Sequence, residues 1–142
     1  MTFLLVAHAL LSTAGYCGLI AVNVYLLLLS AGNDARTIRA GLVAWRKASR
    51  IFGPALLLGI ILGFALTLAL HVSFAATWLL VTYALVIVSI AIQGLIMVPW
   101  QLRSDRSLER GVIPPMAPVR IVLTSLSAVY TAIVALMLIR PG

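Results

Sequence analysis

The 142-residue chain has few charged side chains, and only three of them are acidic. Charged residues make up 9% of the sequence, against about 25% in soluble globular domains. A single cysteine, Cys17, excludes an internal disulfide and a cysteine-rich metal or iron–sulfur site. Because 63% of the residues are hydrophobic, the composition excludes an ordinary soluble domain.

Where a soluble protein would have charged residues, this sequence has long apolar runs. A helix needs about 20 consecutive apolar residues to cross the hydrocarbon of a bilayer. Four stretches meet this requirement, at residues 2–30, 51–70, 77–100 and 120–139. We therefore predict an all-α fold, an integral membrane four-helix bundle in which residues 1–142 form a single transmembrane domain. Pro54 is expected in the first turn of the second span and Pro99 at the end of the third.

Residues 33–50 differ in kind from the apolar runs. Ile38, Leu42 and Trp45 recur there at helical spacing among basic residues. This pattern is typical of a short amphipathic helix lying on the membrane surface between helices 1 and 2. Its cations are candidate ligands for anionic lipid headgroups, namely Arg36, Arg39, Arg46, Lys47 and Arg50. Residues 101–119, by contrast, are expected to form a polar loop with about one helical turn.

The positive charges are concentrated in two segments. Residues 33–50 carry five Lys or Arg and residues 101–120 carry four, whereas Arg140 is alone on the other side. A net charge of +7 would favour a nucleic-acid partner in a soluble protein, but this segregation between apolar runs indicates lipid and orientation instead. By the positive-inside rule, both basic loops face the cytoplasm and both termini face away from it.

Each span also carries a stripe of small or polar residues, the kind of surface through which helices associate in lipid. The residues expected to pack helix against helix are Ser12, Gly15, Gly59, Gly63 and Thr67. Further inward-facing positions are predicted on the third and fourth spans, namely Thr82, Ser89, Gln93, Thr124, Ser127 and Thr131. Four such stripes indicate a compact bundle.

The central parts of the spans contain no Asp, Glu, Lys or Arg, which argues against ion coupling and acid-based hydrolysis. The two histidines, His8 and His71, remain as candidate chemical groups. Counting back from Ser30 puts the outer boundary near Leu11, so both histidines are expected at similar depth on the non-cytoplasmic side. Two imidazoles there would suit a haem b iron or one copper ion. The alternative is a pair of interfacial histidines bonded to headgroups or backbone.

Three stretches of sequence resemble a loose family of four-helix bacterial membrane proteins. They are the run from Leu4 to Leu10 around His8, the run from Arg50 to Leu56, and the run from Trp78 to Ala84. The family includes CopD-type copper-resistance domains and HemJ-type protoporphyrinogen oxidases. The resemblance implies a bacterial inner-membrane location and a haem ligand at His8. The arginine, lysine and Asn-Glu-x-Pro pattern of the oxidases does not occur here.

These observations lead to three functional hypotheses. The first is a non-enzymatic accessory or scaffold subunit that docks against a larger membrane complex or a second copy of itself. The second is a redox or haem-handling protein with haem b held by His8 and His71. The third is copper handling in the CopD manner. The bilayer and its anionic lipids are partners in every case, and no nucleic acid is expected.

Overall fold

The computed structural model describes residues 2–139, and no β-strand occurs within that range. Its helices are α1 (Thr2–Ser30), α2 (Ala35–Ala69), α3 (Thr77–Ile92), α4 (Val98–Glu109) and α5 (Ala117–Ile139), with a π-helical segment, Gln93–Met97, joining α3 to α4. The α3 helix, the π-helical segment and α4 form one continuous rod, Thr77–Glu109. Together with α1, α2 and α5 it makes four rods within residues 2–139, each long and apolar enough to cross a membrane. The predicted all-α, four-helix fold of an integral membrane protein is confirmed.

The amphipathic segment is helical, but it is not a separate helix on the surface. It forms the first half of α2, which runs unbroken for 35 residues through Pro54. Its apolar residues Ile38, Leu42 and Trp45 are buried in the core of the protein and do not face lipid. Because α1 also extends beyond what the hydrocarbon needs, it offers these residues an apolar surface to pack on.

The third span likewise continues past its expected end. Proline lacks an N–H and its ring crowds the carbonyl four residues earlier, so Pro99 was expected to stop the helix. The backbone instead widens into the π-helical segment, in which the Val98 N–H bonds to the carbonyl of Gln93. A wider turn of this kind lets the helix absorb the proline. Residues 101–109, predicted as loop, therefore belong to α4.

The α1 and α2 helices form an antiparallel hairpin with a close-packed seam. Gly18 faces Phe52, Gly15 faces Leu56, Ser12 faces Gly59 and His8 faces Gly63. Each step moves three or four residues along both helices, which keeps every contact on one helix face. A Cβ added at Gly59 would lie 2.6 Å from Ser12 Oγ and 3.0 Å from Ser12 N. The two backbones therefore meet at this glycine.

The remaining helices assemble around α1 and α5. The α1 helix packs between α2 and α5, α5 packs between α1 and α3, and α4 touches α2. The face that α5 buries is Val119, Leu123, Leu126, Tyr130 and Ile133. The predicted polar stripe of this helix is wrong at Thr124 and Thr131, which are exposed, whereas the hydroxyl of Ser127 is buried. The Thr131 hydroxyl donates to the Ser127 carbonyl at 2.8 Å, which allows it to face lipid at little cost.

Candidate functional site

His8 is held against α2 by a short hydrogen bond. Its Nδ1 lies 2.7 Å from the carbonyl oxygen of Gly59 and 3.3 Å from Ser12 Oγ. A carbonyl oxygen only accepts, so Nδ1 carries the proton, and in the neutral ring Nε2 is left as an acceptor. Among residues 2–139, both hydrogen bonds of the ring use Nδ1, which leaves Nε2 without a partner.

A cavity of about 160 Å³ adjoins His8 between the helices. The α2 and α3 helices do not pack against each other along their length, and the cavity occupies the space between them. Its walls come from α1, α2, α3 and α5 and are mainly apolar. Polar groups at the wall are His8, Thr67, Thr82 and Tyr83, and Trp78 adds an aromatic ring.

His71 lies elsewhere and has a structural role of its own. It follows the end of α2 with a φ of 52°, the left-handed conformation that usually requires glycine. Its N–H bonds to the Leu68 carbonyl at 3.2 Å, and the next N–H, of Val72, bonds to the Thr67 carbonyl at 3.1 Å. This pair of bonds is a Schellman motif, which satisfies carbonyls left free at the helix end. The side chain itself is exposed.

The two histidines therefore do not lie at one depth. His8 packs on Gly63, and Gly63 is followed by six more residues of α2, about 9 Å of helix axis. The expected similar depth of the two histidines is wrong, because the seam sets His8 level with Gly63. His71 is also absent from the described wall of the cavity.

This geometry does not fit a haem held between His8 and His71. The space above Gly63 is filled by the imidazole ring, since a Cβ there would lie 2.7 Å from His8 Cε1. The cavity of about 160 Å³ is smaller than the roughly 300–1,000 Å³ of typical cofactor pockets. No group of three or more His, Cys, Asp or Glu that could hold a metal occurs within residues 2–139.

A second region of interest lies at the basic end of the bundle, where α1 and α4 end and α2 and α5 begin. Arg39 pairs with Glu109 at 3.2 Å and Arg46 pairs with Asp105 at 3.3 Å, which ties α2 to α4. The third acid, Asp34, caps α2. The Thr37 hydroxyl, and then the Arg36 N–H, lower the pKa of the Asp34 carboxyl by donating hydrogen bonds to it.

Arg120, counted among the loop cations, has a specific place at this end. Its guanidinium donates to the carbonyl oxygen of Ser30 and, at 3.3 Å, to Ser30 Oγ. Carbonyls at a helix C-terminus have no partner in their own helix, and a cation there is favoured by the helix dipole. Arg120 therefore caps α1 from α5 and fixes the two helices relative to each other.

The outer face of α2 at the basic end forms a shallow groove. We call it the basic groove, and it is lined by Arg36, Arg39, Ala40, Val43, Ala44 and Lys47. Two of the three acids of the chain, Asp34 and Asp105, are engaged outside the groove. The third, Glu109, pairs with Arg39 at the edge of the groove. Arg36 and Lys47 therefore form no ion pair among the described residues. Arg46, one of the predicted lipid ligands, instead turns toward Asp105.

Sequence reasoning missed the cavity and the inter-helix polar contacts. Trp45, assigned to the membrane surface, donates to Asn23 Oδ1 at 2.8 Å in a buried bond between α2 and α1. A signal for this bond existed, because Asn23 is a polar residue in the middle of an apolar run. No sequence pattern indicates the cavity, since it arises from the spacing of α2 and α3.

Comparison of this chain with protein-family models, with curated proteins and with solved structures finds no match.

Proposed function

We propose that this integral membrane protein is a non-enzymatic accessory or scaffold subunit that binds a partner at its basic end. One observation carries the proposal. The chain's three acids are used within the chain, at the N-cap of α2 and in the two pairs to α4. The cations of the basic groove that remain need counter-charges from outside.

The rigidity of the basic end supports this role. The α2 helix has 35 residues and the continuous rod from Thr77 to Glu109 has 33. Both are longer than the hydrocarbon is thick, by about 20 Å. Ion pairs join the protruding parts, and buried Trp45 anchors α2 to α1. A basic groove on such a support is a preorganised surface for an acidic partner segment, with anionic headgroups beside it.

The location and orientation belong to the same proposal. The basic end carries nine of the ten Lys and Arg of the chain, and the tenth, Arg140, lies outside the described residues. The positive-inside rule then favours a cytoplasmic basic end and both termini on the opposite side. The resemblance to four-helix bacterial proteins favours a bacterial inner membrane.

The experiment is purification of tagged protein from native membranes in polymer-bounded discs, without detergent. We expect a second polypeptide in constant ratio, retained by wild type and reduced at least fivefold in Arg36→Glu/Lys47→Glu. The matched control is Arg106→Glu/Arg110→Glu, which makes the same charge change on α4 and in the following loop. Equal recovery of the partner with both double variants would contradict the groove as the docking surface.

The same preparation tests the haem alternative. We expect a colourless protein, because the geometry does not fit a haem between His8 and His71. A Soret band with sharp reduced α and β bands, lost in His8→Ala, would overturn the accessory role in favour of haem binding.

A further inference from the structure

Three of the polar groups at the cavity beside His8 act as hydrogen-bond acceptors toward a ligand. The Thr67 hydroxyl donates to the Gly63 carbonyl at 2.9 Å, and the Thr82 hydroxyl donates to the Trp78 carbonyl at 2.8 Å. Both protons are therefore used inside their own helices, and lone pairs remain. His8 contributes the free Nε2 acceptor described above. The cavity thus offers three acceptors, and the donors in its wall are the Tyr83 hydroxyl and the Trp78 indole N–H.

The volume of the cavity indicates what the apolar part of a ligand would be. A volume of about 160 Å³ matches the engineered apolar cavities of roughly 150 Å³ that take up benzene. The rest of the wall is apolar, from residues such as Leu66, Leu79, Val86 and Met137. An aromatic ring in this space would be in contact with side chains on several sides, and because the cavity is partly open, the rest of the molecule would extend outside it.

We propose that this cavity binds a phenolic ring, carried by a membrane-soluble molecule, whose hydroxyl donates to His8 Nε2. A phenol combines the ring that fits the volume with the donor that the acceptors require. An ether or ketone of the same size offers only acceptors and would leave His8 Nε2 unpaired on binding. This site goes beyond the proposed accessory role and does not depend on it.

The matched probes are 4-methylphenol and 4-methylanisole, which differ in replacing the hydroxyl proton with a methyl group. Binding is measured by saturation-transfer NMR on protein in lipid nanodiscs at pH 8.5, with empty nanodiscs subtracted. We expect saturable binding of 4-methylphenol at least tenfold tighter than that of 4-methylanisole. Failure to saturate, or equal affinity for the two probes, would overturn the proposal.

Three variants locate the site. In His8→Leu we expect the preference for 4-methylphenol to fall to about threefold or less, because the Nε2 acceptor is gone while the Thr82 acceptor and the apolar volume remain. Thr82→Val removes a second acceptor with little change in shape and should weaken 4-methylphenol alone, by about threefold. Its control is Thr131→Val, which breaks the same type of bond to a carbonyl four residues back, on an exposed face of α5. If Thr131→Val lowers the affinity as much as Thr82→Val, or if His8→Leu folds and keeps the tenfold preference, the assignment is overturned.

Discussion

The backbone of His71 adopts a conformation that costs a residue with a Cβ about 1–2 kcal/mol. It persists because the two Schellman hydrogen bonds close the end of α2 and start the turn toward α3. In that turn Phe74 packs back on Phe64, with ring centroids 5.5 Å apart. At this position the backbone conformation of His71, more than its imidazole, stabilises the end of α2.

Replacing His71 with glycine should therefore stabilise the protein. We expect His71→Gly to raise the free energy of unfolding by about 1 kcal/mol, since glycine adopts positive φ without strain. The measurement is reversible unfolding in mixed micelles with SDS. Ser73→Gly, in the same turn but without a positive φ, is the control and should gain nothing. A loss of stability in His71→Gly would show that the side chain has a role of its own.

The hydroxyl of Tyr16 is a second feature of single-residue scale. Tyr16 is 1% exposed and packs beside Tyr130, yet its hydroxyl oxygen has no hydrogen-bond partner among the described residues. An unpaired buried hydroxyl destabilises by about 1–3 kcal/mol. Tyr16→Phe should then leave stability unchanged or raise it by about 1 kcal/mol in the same assay, with exposed Tyr25→Phe as control. A clear loss would mean that the hydroxyl is bonded, for instance to an internal water.

At the scale of elements, the α1–α2 seam depends on glycines where two backbones meet. A methyl group at Gly59 would collide with the backbone of Ser12, whereas a methyl group at Gly53 of the same helix has nothing within 4 Å. We expect Gly59→Ala to lower the free energy of unfolding by about 1–3 kcal/mol through overpacking. Gly53→Ala should raise it by up to about 1 kcal/mol through helix propensity. Equal effects of the two substitutions would contradict the seam.

The sequence predicts features that depend on nearby residues better than features that depend on contacts between helices. The number of spans follows from runs of apolar residues, which is a local property, and the seam residues Ser12, Gly59 and Gly63 follow from helical spacing. The lengths of α2 and α4 do not follow in this way. Whether Ile38 and Trp45 face lipid or protein depends on the overhang of α1, and whether Pro99 ends a helix depends on a π-helical turn.

The candidate site also depends on contacts between helices. His8 could be singled out as one of two histidines, but its partner Gly59 and the cavity behind it depend on the register of two helices. Its pairing with His71 assumed that both lie at the membrane boundary. The seam places His8 one to two helical turns before the end of α2, a displacement that no local pattern reveals.

At the scale of the whole molecule, the asymmetry of charge sets the expected orientation. With Cys17→Ser as background, we expect Ser73→Cys, in the turn between α2 and α3, to react with an impermeant maleimide in intact cells. Val112→Cys, exposed at the basic end, should react only after the membrane is permeabilised. The opposite pattern would invert the orientation and contradict the positive-inside assignment.

The protein combines membrane spans whose central parts are uncharged with a basic groove whose cations need an external counter-charge. The most direct measurement is the mass of the intact assembly, released from native-membrane discs into a mass spectrometer. We expect the 15.2 kDa chain to appear bound to a different polypeptide in a fixed ratio, with no haem mass attached. A spectrum that contains the chain only with lipid, or with haem, would contradict the accessory role.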